Sequence, residues 1–126
     1  REKYLWAFRT IMQSGANICL GSDYPVVDID PFLGVYRAVT RLHNDKTPQG
    51  GWNPQEKLTI QEALKGYTAG SAFAIGMEDK LGTLQEGKYA DIVVLDKNLL
   101  DVPHEQIRGT KSILTMVNGE VIFEGK

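Results

Sequence analysis

Cysteine, histidine and long apolar runs are all scarce in this chain of 126 residues. Cys19 is the only cysteine, so no internal disulfide can form, which is typical of proteins in the reducing cytoplasm. It lies in the apolar run 18–20, where we expect a small buried side chain rather than a reactive thiol. No apolar run approaches the ~20 residues of a membrane-spanning helix, and the N-terminus lacks the pattern of a secretory signal. The sequence therefore predicts a cytoplasmic location and no membrane partner.

Excess charge of either sign is also missing. The formal net charge is -2 and no block of Lys or Arg is present, so nucleic acid is not predicted as a partner. The hydrophobic and charged fractions, 42% and 24%, are typical of a globular protein with a core. The chain begins with Arg1 and enters a helical pattern within a few residues, whereas domains usually open with a slack segment. We therefore expect a piece of a longer protein.

The first 25 residues have the pattern of one helix followed by one strand. Apolar side chains recur at helical spacing from Tyr4 to Met12, and Gly15 can end the helix in the left-handed conformation. Residues 18–20 are continuously apolar, which predicts a short strand buried on both faces. A helix, a glycine turn and a buried strand in this order indicate one unit of a parallel α/β fold.

Three further helices are predicted before residue 76. Asp30 and Pro31 have the residue types of an N-cap and a first helical position. After a polar loop over 44–54, Thr59 and Glu62 have the spacing of a capping box, and the helix they open is predicted to reach about Ala69. A short helix over 71–75 follows.

The pattern changes after Gly76. Residues 90–95 predict a buried strand, and Asn118 with Gly119 is a strong two-residue hairpin signal between apolar segments. The sequence therefore predicts an α/β region over 1–76 and a β-rich region over 77–126.

Asp23 is the leading candidate for chemistry, because it directly follows the predicted strand 18–20. In parallel α/β folds, ligands gather at the carboxyl ends of strands. A carboxylate there could bind a metal or take a proton from a metal-bound water. On spacing alone the competing interpretation, a turn aspartate bonded to its own backbone, is favoured.

Histidine gives no comparable signal. His43 and His104 are isolated, and neither has the paired spacing of a zinc site, so we expect both to be structural or solvent-facing. The glycines form no phosphate-binding or dinucleotide motif, and no nucleophile-elbow motif is present. A catalytic zinc site generally needs three protein ligands, so the chain by itself is not expected to be active.

Three stretches, taken in order, resemble the metal-dependent amidohydrolase superfamily and in particular its amidohydrolase family 3 branch. They are residues 14–26, residues 58–72, and residues 81–96 followed by 117–121. The resemblance implies that residues 1–76 are the last βα units of a (β/α)8 barrel and that 77–126 are part of a small flanking β-sandwich. The fold class is then α/β going to β, or α+β if the chain is judged in isolation.

The resemblance also reverses the interpretation of Asp23, which it identifies as a metal ligand and the general base of a hydrolase. The implied cofactor is a divalent metal, zinc, whose other ligands come from strands outside this chain. The implied substrates are small molecules with amide or related non-peptide C–N bonds. Asp91 recurs in the family motif at a strand start, and we interpret it as structural.

Two expectations concern assembly and an alternative function. A piece of such a fold would expose unpaired strand edges and one barrel face, so we expect a homo-oligomer. The alternative function is a non-catalytic β-rich module, for binding or regulation, derived from an amidohydrolase scaffold. The presence of Asp23 at the end of a predicted strand favours the enzyme, because a binding module has no need of that carboxylate.

Overall fold

The computed structural model describes residues 2–125, and for residue 3 the backbone alone. Helix α1 spans Phe8–Gln13 and is preceded by a 3-10 helix over Glu2–Tyr4. The two are separate because Trp6 adopts a left-handed conformation with φ +53°, so the predicted helix begins later than its apolar pattern suggests. The predicted stop is confirmed, since Gly15 has φ +89°.

The predicted buried strand over 18–20 is wrong. The segment pairs with no other strand among the described residues, and the Leu20 amide instead donates to the Gly66 carbonyl, N to O 3.1 Å. A strand forms only where a neighbouring strand accepts and donates its backbone bonds, and among residues 2–125 none lies beside this segment. For the same reason Cys19 is exposed, contrary to prediction, with its sulfur 3.7 Å from the Ser71 hydroxyl.

Helix α2, Pro31–Thr40, follows the sequence prediction closely. The Asp30 carboxylate accepts from the Phe32 amide at 2.9 Å, and Pro31 occupies the first turn. The apolar side chains of α2 point inward, with Val35 and Tyr36 fully buried. The loop predicted over 44–54 is present and leads into a 3-10 helix over Pro54–Glu56.

Helices α3 and α4 are the two helices predicted to reach about Ala69 and to span 71–75, with the break between them two residues earlier than predicted. Helix α3 spans Ile60–Tyr67, and its Thr59–Glu62 capping box is confirmed, with both reciprocal hydrogen bonds present. Thr68 interrupts the helix, because its φ of -118° and ψ of -90° are incompatible with helical backbone. Helix α4 therefore starts immediately afterwards and spans Ala69–Ala74.

Three antiparallel strands form one sheet in the order β1-β2-β3: Ile92–Leu95, Ser112–Val117 and Glu120–Glu124. The predicted hairpin is confirmed, since Asn118 and Gly119 both have positive φ, +50° and +84°. The Asp91 carboxylate accepts from the Asn118 amide at 2.8 Å, so Asp91 ties β1 to this turn. The buried character predicted for 90–95 is wrong, because Val93 is 54% exposed on an uncovered sheet face.

One hydrophobic core joins helices α2 and α3 to the region after residue 77. Its buried members are Val35, Tyr36, Ala38, Val39, Leu58, Ile60, Ala63, Leu99 and Ile107. Ile107 lies in a 3-10 helix, His104–Gly109, that packs along α2. The boundary predicted near residue 77 stays a prediction.

No helix among residues 2–125 has the length and apolar character that crossing a membrane requires.

Candidate functional site

Asp23 lies in an exposed turn, three residues beyond Leu20. Its backbone is left-handed, with φ +50°, and its carbonyl accepts from the Val26 amide at 2.9 Å, which closes the turn. Within the part of the chain that the structure describes, no hydrogen bond reaches the Asp23 carboxylate. The competing interpretation of a turn aspartate bonded to its own backbone is therefore not observed. The carboxylate is available to an external ligand.

The chain is held on both sides of the turn. Leu20 packs against the hydrophobic core, and its amide bonds to the carbonyl of Gly66 on α3. On the other side of Asp23, the capped N-terminus of α2 begins at Pro31. Asp23 is thus anchored through the segment before it and the helix after it, while its own side chain projects from a loop.

The two histidines do not join Asp23. His43 is exposed just beyond α2, where its amide donates to the Thr47 carbonyl at 2.8 Å. His104 is exposed at the start of a 3-10 helix. Across residues 2–125, no three His, Cys, Asp or Glu side chains lie close enough to hold a metal ion. The described residues therefore do not form a metal site by themselves.

A buried carboxylate that the sequence patterns did not indicate lies elsewhere, at Glu56. Its two oxygens accept from the amide and the hydroxyl of Thr10, at 2.9 and 2.6 Å. These hydrogen bonds, the hydroxyl's first, hold the pKa of Glu56 below its usual value. Nearby, Arg9 donates to Glu62 at 2.6 Å. The partners are 46 and 53 residues apart, so no local spacing could have indicated them.

Tyr67 is a second titratable group that sequence reasoning missed. Burial first, and then the charge of Asp30, raise the pKa of its phenol. Its hydroxyl occupies space that exists only because residue 34 is glycine, since a Cβ at Gly34 would lie 1.8 Å from that oxygen. The phenol therefore stays protonated at neutral pH, and its role is packing between α2 and α3.

Two cavities lie away from Asp23. One, of about 410 Å³, is bordered by Arg9, Lys57 and His104 with apolar side chains beneath them. The other, of about 190 Å³, borders residues 15–18 and Gly66. Asp23 lines neither of these two cavities. We rank the exposed turn above both cavities as the site, because it alone combines a free carboxylate with a held backbone.

The sequence of this chain is similar to a protein family and to several known proteins. A family model described as the amidohydrolase family matches residues 1–123. The Bacillus subtilis (strain 168) protein named "Putative amidohydrolase YtcJ" is 33% identical over 98% of this chain and 23% of its own length. The Arabidopsis thaliana protein LONG AFTER FAR-RED 3 is 32% identical over 98% of this chain and 20% of its length.

Two further relatives extend the comparison. N-substituted formamide deformylase of Arthrobacter pascens is 30% identical over 95% of this chain and 22% of its own length. The crystal structure of an amidohydrolase from Thermotoga maritima MSB8 superposes with a TM-score of 0.70 at 19% identity, over 95% of this chain and 26% of that one. The local fold is therefore shared with a solved amidohydrolase. The chain spans about a fifth to a quarter of the length of the relatives it matches.

Proposed function

Since this chain belongs to the amidohydrolase family, we propose that it is the C-terminal part of a hydrolase of small molecules. The bonds cleaved are amide or related non-peptide C–N bonds. The names of relatives support this chemistry, because they include an N-substituted formamide deformylase and a 5-methylthioadenosine/S-adenosylhomocysteine deaminase. In this proposal residues 1–76 complete a (β/α)8 barrel, and residues 77–126 contribute to a flanking β-sandwich.

The exposed Asp23 carboxylate is the observation that carries the proposal. A general base must accept a proton from water, and a carboxylate already occupied by backbone amides would be a poor acceptor. Asp23 has no such partner among residues 2–125, and its backbone is fixed by a closed turn. In this role Asp23 accepts the proton of the attacking water and returns it to the leaving nitrogen.

The metal site of such a hydrolase would be completed by ligands outside the described residues. Asp23 fits one ligand position, since carboxylate oxygens bind divalent metals and this one is free. A bound divalent metal, zinc in this proposal, would supply a water whose pKa lies near neutrality. Residues 2–125 bring no three potential ligands together, so this chain alone is proposed to be inactive.

The proposal extends to partners and location. The substrate is a small molecule, and the protein acts in the cytoplasm as a homo-oligomer. Support for self-association comes from strand β3, where Val121, Ile122 and Phe123 are all about half exposed or more. An open strand edge that carries apolar side chains is a site where a second chain can add.

The test is hydrolysis by the complete protein that carries this chain, assayed by amine release from a panel of N-substituted formamides. Substitution Asp23→Asn keeps the size of the side chain and removes its basicity. The expected result is a fall in kcat of about 10²- to 10⁴-fold, the usual contribution of a general base. Asp28→Asn, in the same exposed loop, serves as the matched control and should keep kcat within about twofold.

Metal content measured on the same samples separates the outcomes. A protein that binds metal and hydrolyses these substrates equally well with Asp23→Asn would remove the proposed role. A protein with neither metal nor hydrolysis of any C–N substrate would favour the alternative of a non-catalytic binding or regulatory module.

A further inference from the structure

The segment that leads to Asp23 rests on two glycines of the helical pair α3–α4. Gly66 and Gly70 are both buried, and neither has the positive φ for which glycine is usually required. The requirement is therefore for space rather than for backbone conformation. We name the group formed by Gly66, Gly70 and Ser71 the glycine seat.

The distances show how closely the segment approaches. A Cβ added at Gly70 would lie 2.1 Å from the carbonyl oxygen of Ile18, a backbone atom that a side-chain rotation cannot move. A Cβ added at Gly66 would lie 2.9 Å from Cγ of Leu20. A side chain at Gly70 would push the backbone at Ile18 away from the helices, and one at Gly66 would displace the side chain of Leu20.

Polar contacts complete the seat. The Leu20 amide donates to the Gly66 carbonyl at 3.1 Å. The Ser71 hydroxyl donates to the same carbonyl at 3.0 Å and lies 3.4 Å from the carbonyl oxygen of Leu20. Among the described residues, these contacts and the packing of Leu20 are what hold residues 18–20 against the helices.

We propose that the glycine seat positions Asp23 for catalysis. Only Gly21 and Ser22 separate Leu20 from Asp23, and among residues 2–125 no hydrogen bond holds the Asp23 side chain. A displacement of Leu20 is therefore transmitted to the carboxylate. Gly66, Gly70 and Ser71 touch neither water nor substrate in this proposal, so they are positioning residues that act through Asp23. The inference rests on the proposed role of Asp23 as general base.

The experiment measures kcat and KM for Gly66→Ala and Ser71→Ala in the complete protein, each alone and combined with Asp23→Asn. Gly66→Ala should lower kcat about 10- to 100-fold with KM within about twofold, because a misplacement near 1 Å costs rate more than binding. Ser71→Ala should lower kcat several-fold. Neither variant should lower the residual activity of Asp23→Asn further, because the group they position is already disabled.

Gly109→Ala is the matched control, since a Cβ there meets nothing within 4 Å and φ is not left-handed. It should leave kcat unchanged. If Gly66→Ala fails to fold, as judged by circular dichroism, Ser71→Ala decides, because it only removes one hydroxyl. Unchanged kcat in the folded variants, or an equal further loss in the Asp23→Asn background, would overturn the positioning role. Full activity of Asp23→Asn itself would instead overturn the proposed function.

Discussion

Ile107 offers the most direct test of how the two regions of the chain are joined. It lies after residue 77, yet its side chain is fully buried in the core that α2 forms. Ile107→Ala removes three carbon atoms from that core, each worth about 0.8 kcal/mol of transfer free energy. The cavity left behind adds to the loss, so we expect the free energy of unfolding to fall by about 3 kcal/mol. Such a loss is a large part of the 5–15 kcal/mol typical of a domain.

The two tryptophans make the assay specific. Trp6 and Trp52 both precede residue 77, so their fluorescence reports unfolding of the first region. With a urea dependence of about 1–1.5 kcal/mol per molar, Ile107→Ala should lower the urea midpoint of this signal by about 2–3 M. Ile75→Ala is the control, because that side chain is 68% exposed and should change stability by no more than about 0.5 kcal/mol.

The refuting result is equally clear. If the fluorescence midpoint were unmoved by Ile107→Ala while circular dichroism of the sheet shifted, the two regions would unfold separately. The shared core would then contribute nothing to the stability of residues 1–76, and the boundary near residue 77 would mark two independent units.

Three further predictions concern the cap of α3, the carboxylate of Glu56 and the edge of the sheet at β3. Thr59→Ala removes one half of the α3 capping box and should lower the free energy of unfolding by about 1 kcal/mol, seen as a lower urea midpoint. Because its bonds to Thr10 lower the pKa of Glu56 in the folded state, wild-type stability should begin to fall as the pH drops below 4.5. Glu56→Gln should flatten that acid dependence in urea titrations at pH 7, 5, 4 and 3; an unchanged dependence would contradict it. In sedimentation velocity the wild-type coefficient should rise with protein concentration and that of Val121→Lys should not, whereas a wild-type monomer at every concentration would exclude self-association through β3.

The parts of the fold that local sequence determines were predictable. Asp30 with Pro31, Thr59 with Glu62, and the Asn118–Gly119 turn each form as expected. Each is a contact between residues at most three positions apart, where the side chain satisfies a nearby backbone group or the backbone conformation suits the residue type. Asp23 lies in a turn as expected, although the strand predicted before it is absent among the described residues. The catalytic role of Asp23 stays a prediction.

The errors share a different cause. Residues 18–20 and 90–95 are apolar enough for buried strands, but burial depends on what packs against them rather than on their own composition. Among the described residues nothing covers Val93, and no strand pairs with residues 18–20. Helix α3 ends at Tyr67 rather than at about Ala69, because the backbone leaves the helical conformation at Thr68. Likewise the Glu56–Thr10 contact joins residues too far apart for any spacing rule to find.

Gly66 and Gly70 lie between these two cases. A glycine within a helical run costs about 0.5–1 kcal/mol relative to alanine, so two of them four residues apart indicate a close approach by something else. The segment that approaches, residues 18–20, is more than 40 positions away and is identified only by the structure. Alanine at Gly66 should therefore improve the intrinsic helix propensity of α3 and still lower activity. A gain in helix propensity together with a loss of activity would show that Gly66 is required because it leaves space for residues 18–20, and not because of its backbone conformation.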